Sequence, residues 1–158
     1  MRRLTILLAA VLLLAGCGRA GERGVNSPRT TDFQCKVNGS LQETAILGTM
    51  ERGNAGELTL VLEQPASLAG ITMTMAAGTL TLTVEGISVP LERSTLPASG
   101  LMQTLCTALD EAAGQPIAAD GSITMAETAI LWINIDTGTI TQISTTGLEL
   151  KFSEVIFT

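Results

Sequence analysis

Few side chains in this sequence are suited to acid–base or nucleophilic chemistry. The chain of 158 residues contains no histidine and no tyrosine, and Lys36 and Lys151 are its two lysines. The lack of histidine excludes a Ser–His triad, a histidine general base and most transition-metal sites. No Gly-x-Ser-x-Gly segment presents a serine on a nucleophile elbow, and neither lysine stands in a Ser-x-x-Lys motif. The sequence therefore predicts a protein that is not an enzyme.

A second candidate for chemistry is a group of carboxylates in the C-terminal half of the chain. Asp110 and Glu111 are adjacent, and Asp120 and Glu127 follow at some distance. Paired carboxylates can serve acid–base catalysis or bind calcium, but a calcium loop uses a dense alternation of oxygen ligands that this segment lacks. A solvated acidic surface is the simpler interpretation, so we expect no metal ion and no cofactor.

Cysteine thiols are the remaining reactive groups, and Cys17 has the most informative context. It follows Arg2, Arg3 and an apolar run, residues 4–16, which would measure about 20 Å as a helix against a hydrocarbon core of about 30 Å. That length suits a secretory signal better than a membrane span. The segment Leu14-Ala15-Gly16-Cys17 resembles the bacterial lipobox, which implies cleavage after residue 16 and a diacylglycerol on Cys17. An ordinary cleaved signal and an uncleaved anchor are the alternatives.

Removal of residues 1–16 would leave 142 residues, in which the 9 basic residues fall to 7 against 15 acidic ones, a net charge of −8. Such a body does not attract nucleic acid or anionic headgroups by charge. Membrane attachment would come from the acyl chains instead, at about 0.8 kcal/mol per buried methylene. We expect an extracytoplasmic protein anchored to the cell membrane, or to an outer membrane if the host has one. Residues 17–31 are rich in Gly, Ser, Thr, Pro and charge, which predicts a flexible tether before a folded domain, residues 32–158.

The body of the chain alternates apolar and polar residues with a period of two. The segments "ELTLVLEQ", "ITMTM" and "TLTLTVE" place leucine, methionine and valine on one face and mostly threonine on the other, with glycine between the segments. Two hairpins are predicted, the second turning at Asp136-Thr137-Gly138. One segment breaks this pattern, because residues 99–113 have helical spacing, with Ser99 as the expected N-cap. The predicted class is α+β, a curved antiparallel sheet covered by one helix, with a two-sheet sandwich as the alternative.

Two blocks of the chain resemble the LolA/LolB-like lipoprotein-carrier superfamily. The segment "GELTLVLEQPASLAGITMTMAAGTLTLTVEGISV" is similar to its middle strands, and "LWINIDTGTITQISTTGLELKFSEVIF" to its closing hairpins. The second likeness is read from Asp136, Thr137, Gly138, Phe152, Ser153, Val155 and Ile156. The resemblance implies an incomplete, LolA-like half-barrel that encloses an apolar cavity for acyl chains. Leu68, Ala69 and Gly70 stand where the carriers usually have a basic residue, so small anchored lipoproteins of spore-forming Gram-positive bacteria are closer in style.

Cys35 and Cys106 allow two interpretations. Exported chains meet oxidising conditions, so these cysteines can form a disulfide between the first strand and the helix. Both also lie on apolar patterns, and each is equally consistent with a small buried hydrophobic residue. Spacing along the sequence does not distinguish the two, because a disulfide depends on three-dimensional geometry.

Two functional hypotheses follow. The first is a tethered, non-enzymatic protein that binds a lipid or another hydrophobic ligand in a curved-sheet cavity. Its candidate contact residues are Leu58, Leu60, Leu62, Met73, Met75, Leu80, Leu82, Val84, Leu131 and Ile133. The second is a docking or activating module for another cell-envelope protein, such as a cell-wall hydrolase, through exposed sheet edges. The predicted partners are thus the membrane, through the acyl chains, and either a lipid or an envelope protein, but not nucleic acid.

Overall fold

The computed structural model describes residues 27–92, 94, 100–125 and 129–158. Within these ranges the chain forms ten β-strands and one α-helix. The strands are β1 (Phe33–Leu41), β2 (Thr44–Arg52), β3 (Leu58–Gln64), β4 (Thr72–Ala76), β5 (Thr79–Val84), β6 (Ile87–Glu92), β7 (Ser122–Thr124), β8 (Ile130–Asn134), β9 (Thr139–Thr145) and β10 (Leu148–Phe157). The helix α1 (Leu101–Ala112) lies between β6 and β7 along the chain, and a short 3-10 turn, Ala66–Leu68, connects β3 to β4.

All ten strands belong to one antiparallel sheet in the order β6-β5-β4-β3-β2-β1-β10-β9-β8-β7. Strands that follow one another along the chain are paired, except β6 and β7, which form the two edges of the sheet. The first and last strands, β1 and β10, pair with each other in the middle. The predicted α+β class, with an antiparallel sheet and one covering helix, is confirmed. Both predicted hairpins are present as β4–β5 and β8–β9, and the Asn134 side chain accepts hydrogen bonds from the backbone of Asp136 and Thr137 at the second turn.

The sheet is too wide to be flat. Adjacent strands lie about 4.8 Å apart, so a flat sheet from β5 to β7 would be about 38 Å wide, whereas a helix of twelve residues is about 18 Å long. Leu80 on β5 and Ile123 on β7 nevertheless belong to one buried core, together with the helix. The sheet must therefore curve around α1. Three bulges, on β1–β10, β2–β3 and β8–β9, are the features that bend and twist such a sheet.

Gly39 shows how closely the central strands approach each other. A Cβ atom at this position would collide with the backbone carbonyl oxygen of Glu149 on the neighbouring strand β10. Gly39 pairs with Leu150 on one side and with Ile46 on the other, and both of these side chains are buried. The missing side chain thus lies on the core face at the centre of the sheet, where a glycine permits a tight bend.

Helix α1 packs on the sheet through one apolar face. Its buried residues are Met102, Leu105, Cys106, Ala108, Leu109 and Ala112. The predicted helix over 99–113 is confirmed as Leu101–Ala112, but its N-cap is Gly100, without a side-chain hydrogen bond, and the expected cap Ser99 lies outside the described residues. In the described ranges no helix has the length and apolar character needed to cross a membrane.

The sequence predicts that the folded domain begins at Asp32. In the structure, contacts with the rest of the domain already begin at residue 28. Pro28 and Thr30 are buried, and the backbone N–H of Arg29 donates to the carbonyl oxygen of Gly138 at 2.9 Å. The Arg29 guanidinium also lies 3.4 Å from the centroid of the Phe157 ring. These contacts fasten residues 28–30 to the β8–β9 turn and to the last strand. Residues 28–30 thus have defined contacts with the folded part of the chain, while the predicted signal peptide, Cys17 and residues 18–26 lie outside the described ranges. The division into tether and domain stays a prediction.

Candidate functional site

Three rows of side chains cross the core face of the sheet from β1 to β6. Residues that pair across neighbouring strands share a face, so the strand register defines each row. Row A contains Phe33, Arg52, Leu58, Met75, Leu80 and Leu91. Row B contains Cys35, Met50, Leu60, Met73, Leu82 and Val89. Row C contains Val37, Gly48, Leu62, Ile71 (directly before β4), Val84 and Ile87. Sixteen of these eighteen positions are apolar side chains, and the exceptions are Arg52 and Gly48.

Exposure rises along the rows toward β6. On β1 to β3 the side chains are buried, but on row B Met73 and Leu82 are half-buried, and Val89 is 49% exposed. On row C the exposed fraction reaches 45% at Val84 and 71% at Ile87. Row A stays buried as far as Leu80, which is 7% exposed. We call the set Met73, Leu82, Val84, Ile87 and Val89 the apolar strip. It contains the most exposed apolar side chains of the core face on β4 to β6.

The opposite face of the same strands is polar. Thr59 and Thr74 lie across β3 and β4 with their hydroxyl oxygens 3.2 Å apart, and Thr83 and Ser88 lie across β5 and β6 at 2.9 Å. Hydroxyl groups on adjacent strands can satisfy one another while they remain in contact with water. The apolar strip is therefore not a general property of this end of the sheet. It belongs to the face that is continuous with the core.

The structure divides the ten predicted ligand-contacting residues into two groups. Seven are core residues with at most 7% exposure: Leu58, Leu60, Leu62, Met75, Leu80, Leu131 and Ile133. The other three, Met73, Leu82 and Val84, lie on the apolar strip. Leu131 and Ile133 are on β8, at the other end of the sheet, where they pack in the same core but far from the strip along the strand order.

Ile87 and Val89 are strip residues that the sequence analysis did not include. The signal was present, because Ile87, Val89 and Leu91 alternate along β6 in phase with the neighbouring strand. Pro90 in the same segment is compatible with this strand because β6 lies at the edge of the sheet. The two residues that alternate with them, Ser88 and Pro90, pair with Thr83 and Thr81 of the polar face.

Arg52 is the second feature that the sequence analysis did not identify. Its side chain is only 3% exposed, and one terminal nitrogen, Nη2, donates to Oδ1 of Asp110 on helix α1. The signal was the alternation of β2, on which Ile46, Gly48, Met50 and Arg52 face the core together. Asp110 is 54% exposed, so the ion pair lies at the boundary between the core and the solvent.

Among the described residues, the other carboxylates of this region do not gather into a site. Asp120 accepts hydrogen bonds from the backbone N–H and the hydroxyl of Ser122, at 2.9 and 2.7 Å, and these bonds lower the pKa of Asp120. Asp110 instead pairs with Arg52, and Glu127 lies outside the described residues. Among the described residues no cluster of Cys, Asp and Glu has an arrangement that would hold a metal ion.

Cys35 and Cys106 are separate buried thiols in the structure, on β1 and on α1 respectively. Burial raises the pKa of the Cys35 thiol from 9.0 to about 12. A thiol with so high a pKa is almost entirely protonated at neutral pH, and a protonated thiol is a poor nucleophile. Cys35 thus behaves as a small core residue in this arrangement, which is one of the two interpretations that the sequence left open.

Two of the solved structures that resemble this chain are remote likenesses. An uncharacterized conserved protein from Thermus thermophilus superposes with a TM-score of 0.49 at 14% sequence identity, over 82% of this chain and 80% of that chain. A LolA superfamily protein from Nitrosomonas europaea superposes with a TM-score of 0.41 at 10% identity, over 84% of this chain and 88% of that chain. No protein-family model and no curated protein matches the chain. Because both TM-scores are below 0.5, the family resemblance drawn from the sequence stays a prediction.

Proposed function

We propose that this protein is a non-enzymatic, extracytoplasmic lipoprotein that binds a lipid or another hydrophobic ligand along the apolar strip. The observation that supports this most directly is the exposure of Val84, Ile87 and Val89 on the face that elsewhere forms the core. Isolated exposed apolar residues are ordinary, but a contiguous patch that continues a core is typical of a binding surface. The strip also includes two half-buried residues, Met73 and Leu82, and methionine adapts to ligands of irregular shape.

Attachment to the membrane is the second part of the proposal. The n-region, the short apolar run and the Leu-Ala-Gly-Cys segment support cleavage after residue 16 and lipidation of Cys17. The acyl chains would hold the domain at the membrane surface and keep the apolar strip near a source of lipid. Growth of a bacterium that expresses the full chain with an alkyne-labelled fatty acid tests this directly. Label should enter the wild-type protein and not Cys17→Ser, and equal labelling of the two would contradict the anchor.

Ligand binding is tested by titrating the purified, delipidated full chain with a fluorescent fatty-acid analogue. Val84→Ser with Val89→Ser should weaken binding at least tenfold, because both changes place a hydroxyl in the proposed contact surface. The matched control is Val61→Ser on β3, since Val61 is 37% exposed but points to the polar face. Unchanged affinity in the strip variant, or an equal loss in the control, would contradict binding at the strip. No binding by the wild-type chain would contradict the proposed function itself.

The alternative function is docking of an envelope protein by strand addition. It has less support, because neither edge strand of the sheet is suited to pairing with another chain. Edge strand β6 contains Pro90, which has no backbone N–H to donate, and edge strand β7 is three residues long. Short edges and edge prolines are features that discourage pairing with another chain.

A further inference from the structure

The apolar strip is most exposed beside the turn between β5 and β6. Val84 and Ile87 pair across these strands and enclose a two-residue turn. The turn residues, Glu85 and Gly86, have φ angles of 50° and 82°, as in a tight hairpin. Exposure on β6 rises toward this turn, from 49% at Val89 to 71% at Ile87. An amphiphile that bound the strip would keep its apolar chain on the more covered residues and its polar head in the water beside the turn.

Glu85 is the charged residue of this turn. It is exposed, and the ion pairs found among the described residues do not include it. Those pairs join Lys36 to Glu154 and Arg52 to Asp110, so each of these charges is already compensated by its partner. The carboxylate of Glu85 therefore stands at the exposed end of the strip with no described cation paired to it.

The strands that carry the strip contain no basic residue. Residues 53–92, which include β3 to β6, contain four glutamates and no lysine or arginine. The next basic residue along the chain, Arg93, lies outside the described residues. A surface with charges of one sign attracts ions of the opposite sign, repels ions of its own sign, and loses both effects as salt is added. The strip is therefore better matched to a cation than to an anion.

We propose that Glu85 is a specificity-determining residue of the apolar strip, and that the strip takes an amphiphile with a cationic head group. This inference rests on the proposed hydrophobic binding function and adds the chemical class of the ligand. The alkyl chain contacts Leu82, Val84, Ile87 and Val89, and the head group lies beside the carboxylate of Glu85. Because an exposed ion pair contributes little compared with the apolar contact, an amphiphile with an anionic head group still binds, but more weakly.

The test compares ligands that share an alkyl chain and differ in the charge of the head group. Decylamine, decanol and decanoate each displace Nile red, an uncharged fluorescent probe, from the full wild-type chain at neutral pH and low salt. An exposed ion pair is worth up to about fivefold in affinity, so decylamine should bind about 2- to 5-fold more tightly than decanol, and decanoate about 2- to 5-fold more weakly. Salt at about 1 M, where charges are screened beyond about 3 Å, should bring the three affinities together.

One variant and one matched control locate the effect. Glu85→Gln keeps the size of an exposed side chain and removes its charge, so the three ligands should bind this variant with nearly equal affinities. Glu57→Gln removes the same charge directly before β3, at the opposite end of the strands from the β5–β6 turn, and should keep the wild-type order.

The outcomes separate this inference from the proposed function. Equal affinities of the three ligands for the wild type, or a preference for decanoate, would overturn the inference and leave the proposed function intact. An order that survives in Glu85→Gln, or that Glu57→Gln loses equally, would also overturn it. If Glu85→Gln fails to fold, the salt series on the wild type decides, since a preference that does not weaken with salt contradicts selection by charge. Failure of Nile red and of every amphiphile to bind the wild-type chain would overturn the proposed function together with the inference.

Discussion

The two ends of row B have similar chemistry and different surroundings. Cys35 and Met50 at one end are at most 2% exposed, whereas Val89 at the other end is 49% exposed, although all of them lie on one face of one sheet. The alternation of each strand decides which face a side chain joins, but it does not decide whether anything covers that face. Coverage depends on helix α1, which is shorter than the sheet is wide, and on the curvature that brings distant strands under it.

The largest expected difference between the two ends is in stability. Leu60→Ala removes three carbon atoms from a fully buried position on row B and should lower the free energy of unfolding by about 2–5 kcal/mol. Val89→Ala on the same row should change it by less than about 0.5 kcal/mol, because the side chain is half exposed already. Urea unfolding followed by circular dichroism measures both values on the full chain.

Similar losses in these two variants would show that the strip is covered in solution. The strip would then not be a free binding surface. The comparison is direct because Leu60 and Val89 both lie on row B, on the same face of the sheet, and both variants are measured by the same method.

A second, smaller loss of stability is expected at the ion pair between Arg52 on β2 and Asp110 on helix α1. Asp110→Asn removes the negative charge that Arg52 pairs with but keeps an oxygen that can accept from Nη2, so a hydrogen bond between two charged groups becomes one to a neutral amide, at a cost of about 1–2 kcal/mol. The free energy of unfolding should fall by an amount in this range. Glu111→Gln is the control, because it changes the same charge at the next helix position on an exposed side chain, and it should alter stability by less than about 0.5 kcal/mol. Equal changes in the two variants would mean that helix charge, and not the Arg52 pair, is responsible.

The sequence was sufficient to predict the strands but not their coverage. Period-two alternation placed Leu58, Leu60 and Leu62 on one face, and glycine positions located the turns, so the hairpins and the fold class were predictable. All ten candidate ligand residues had the same local pattern, and packing within the core of the curved sheet and α1 separates Leu60 from Val84, which are 0% and 45% exposed. That packing depends on residues far apart in the sequence, to which a local period is insensitive.

Two further differences have identifiable causes. Residues 28–30 have a composition that is typical of a tether, yet a backbone hydrogen bond to Gly138 and an arginine–aromatic contact hold them, and neither interaction has a local sequence pattern. Arg52 ends a strand whose apolar residues face the core, but a charge at a strand end is usually solvated. Its burial follows from the position of Asp110, 58 residues later in the chain.

Titration of the thiol at the covered end of row B should leave stability unchanged at neutral pH and lower it only at alkaline pH. Burial raises the pKa of Cys35 from 9.0 to about 12, so the unfolded chain loses this proton at a lower pH than the folded chain does. The stabilisation is complete below pH 9 and is lost as the pH rises toward 12, because between these values the folded state binds more protons. Within this window the free energy of unfolding should fall by up to about 1.4 kcal/mol per pH unit. Cys35→Ala, unfolded in urea at the same series of pH values, should lack this part of the slope. Identical slopes in the two proteins would mean that water reaches the thiol, and that row B is open at β1 as well as at β6.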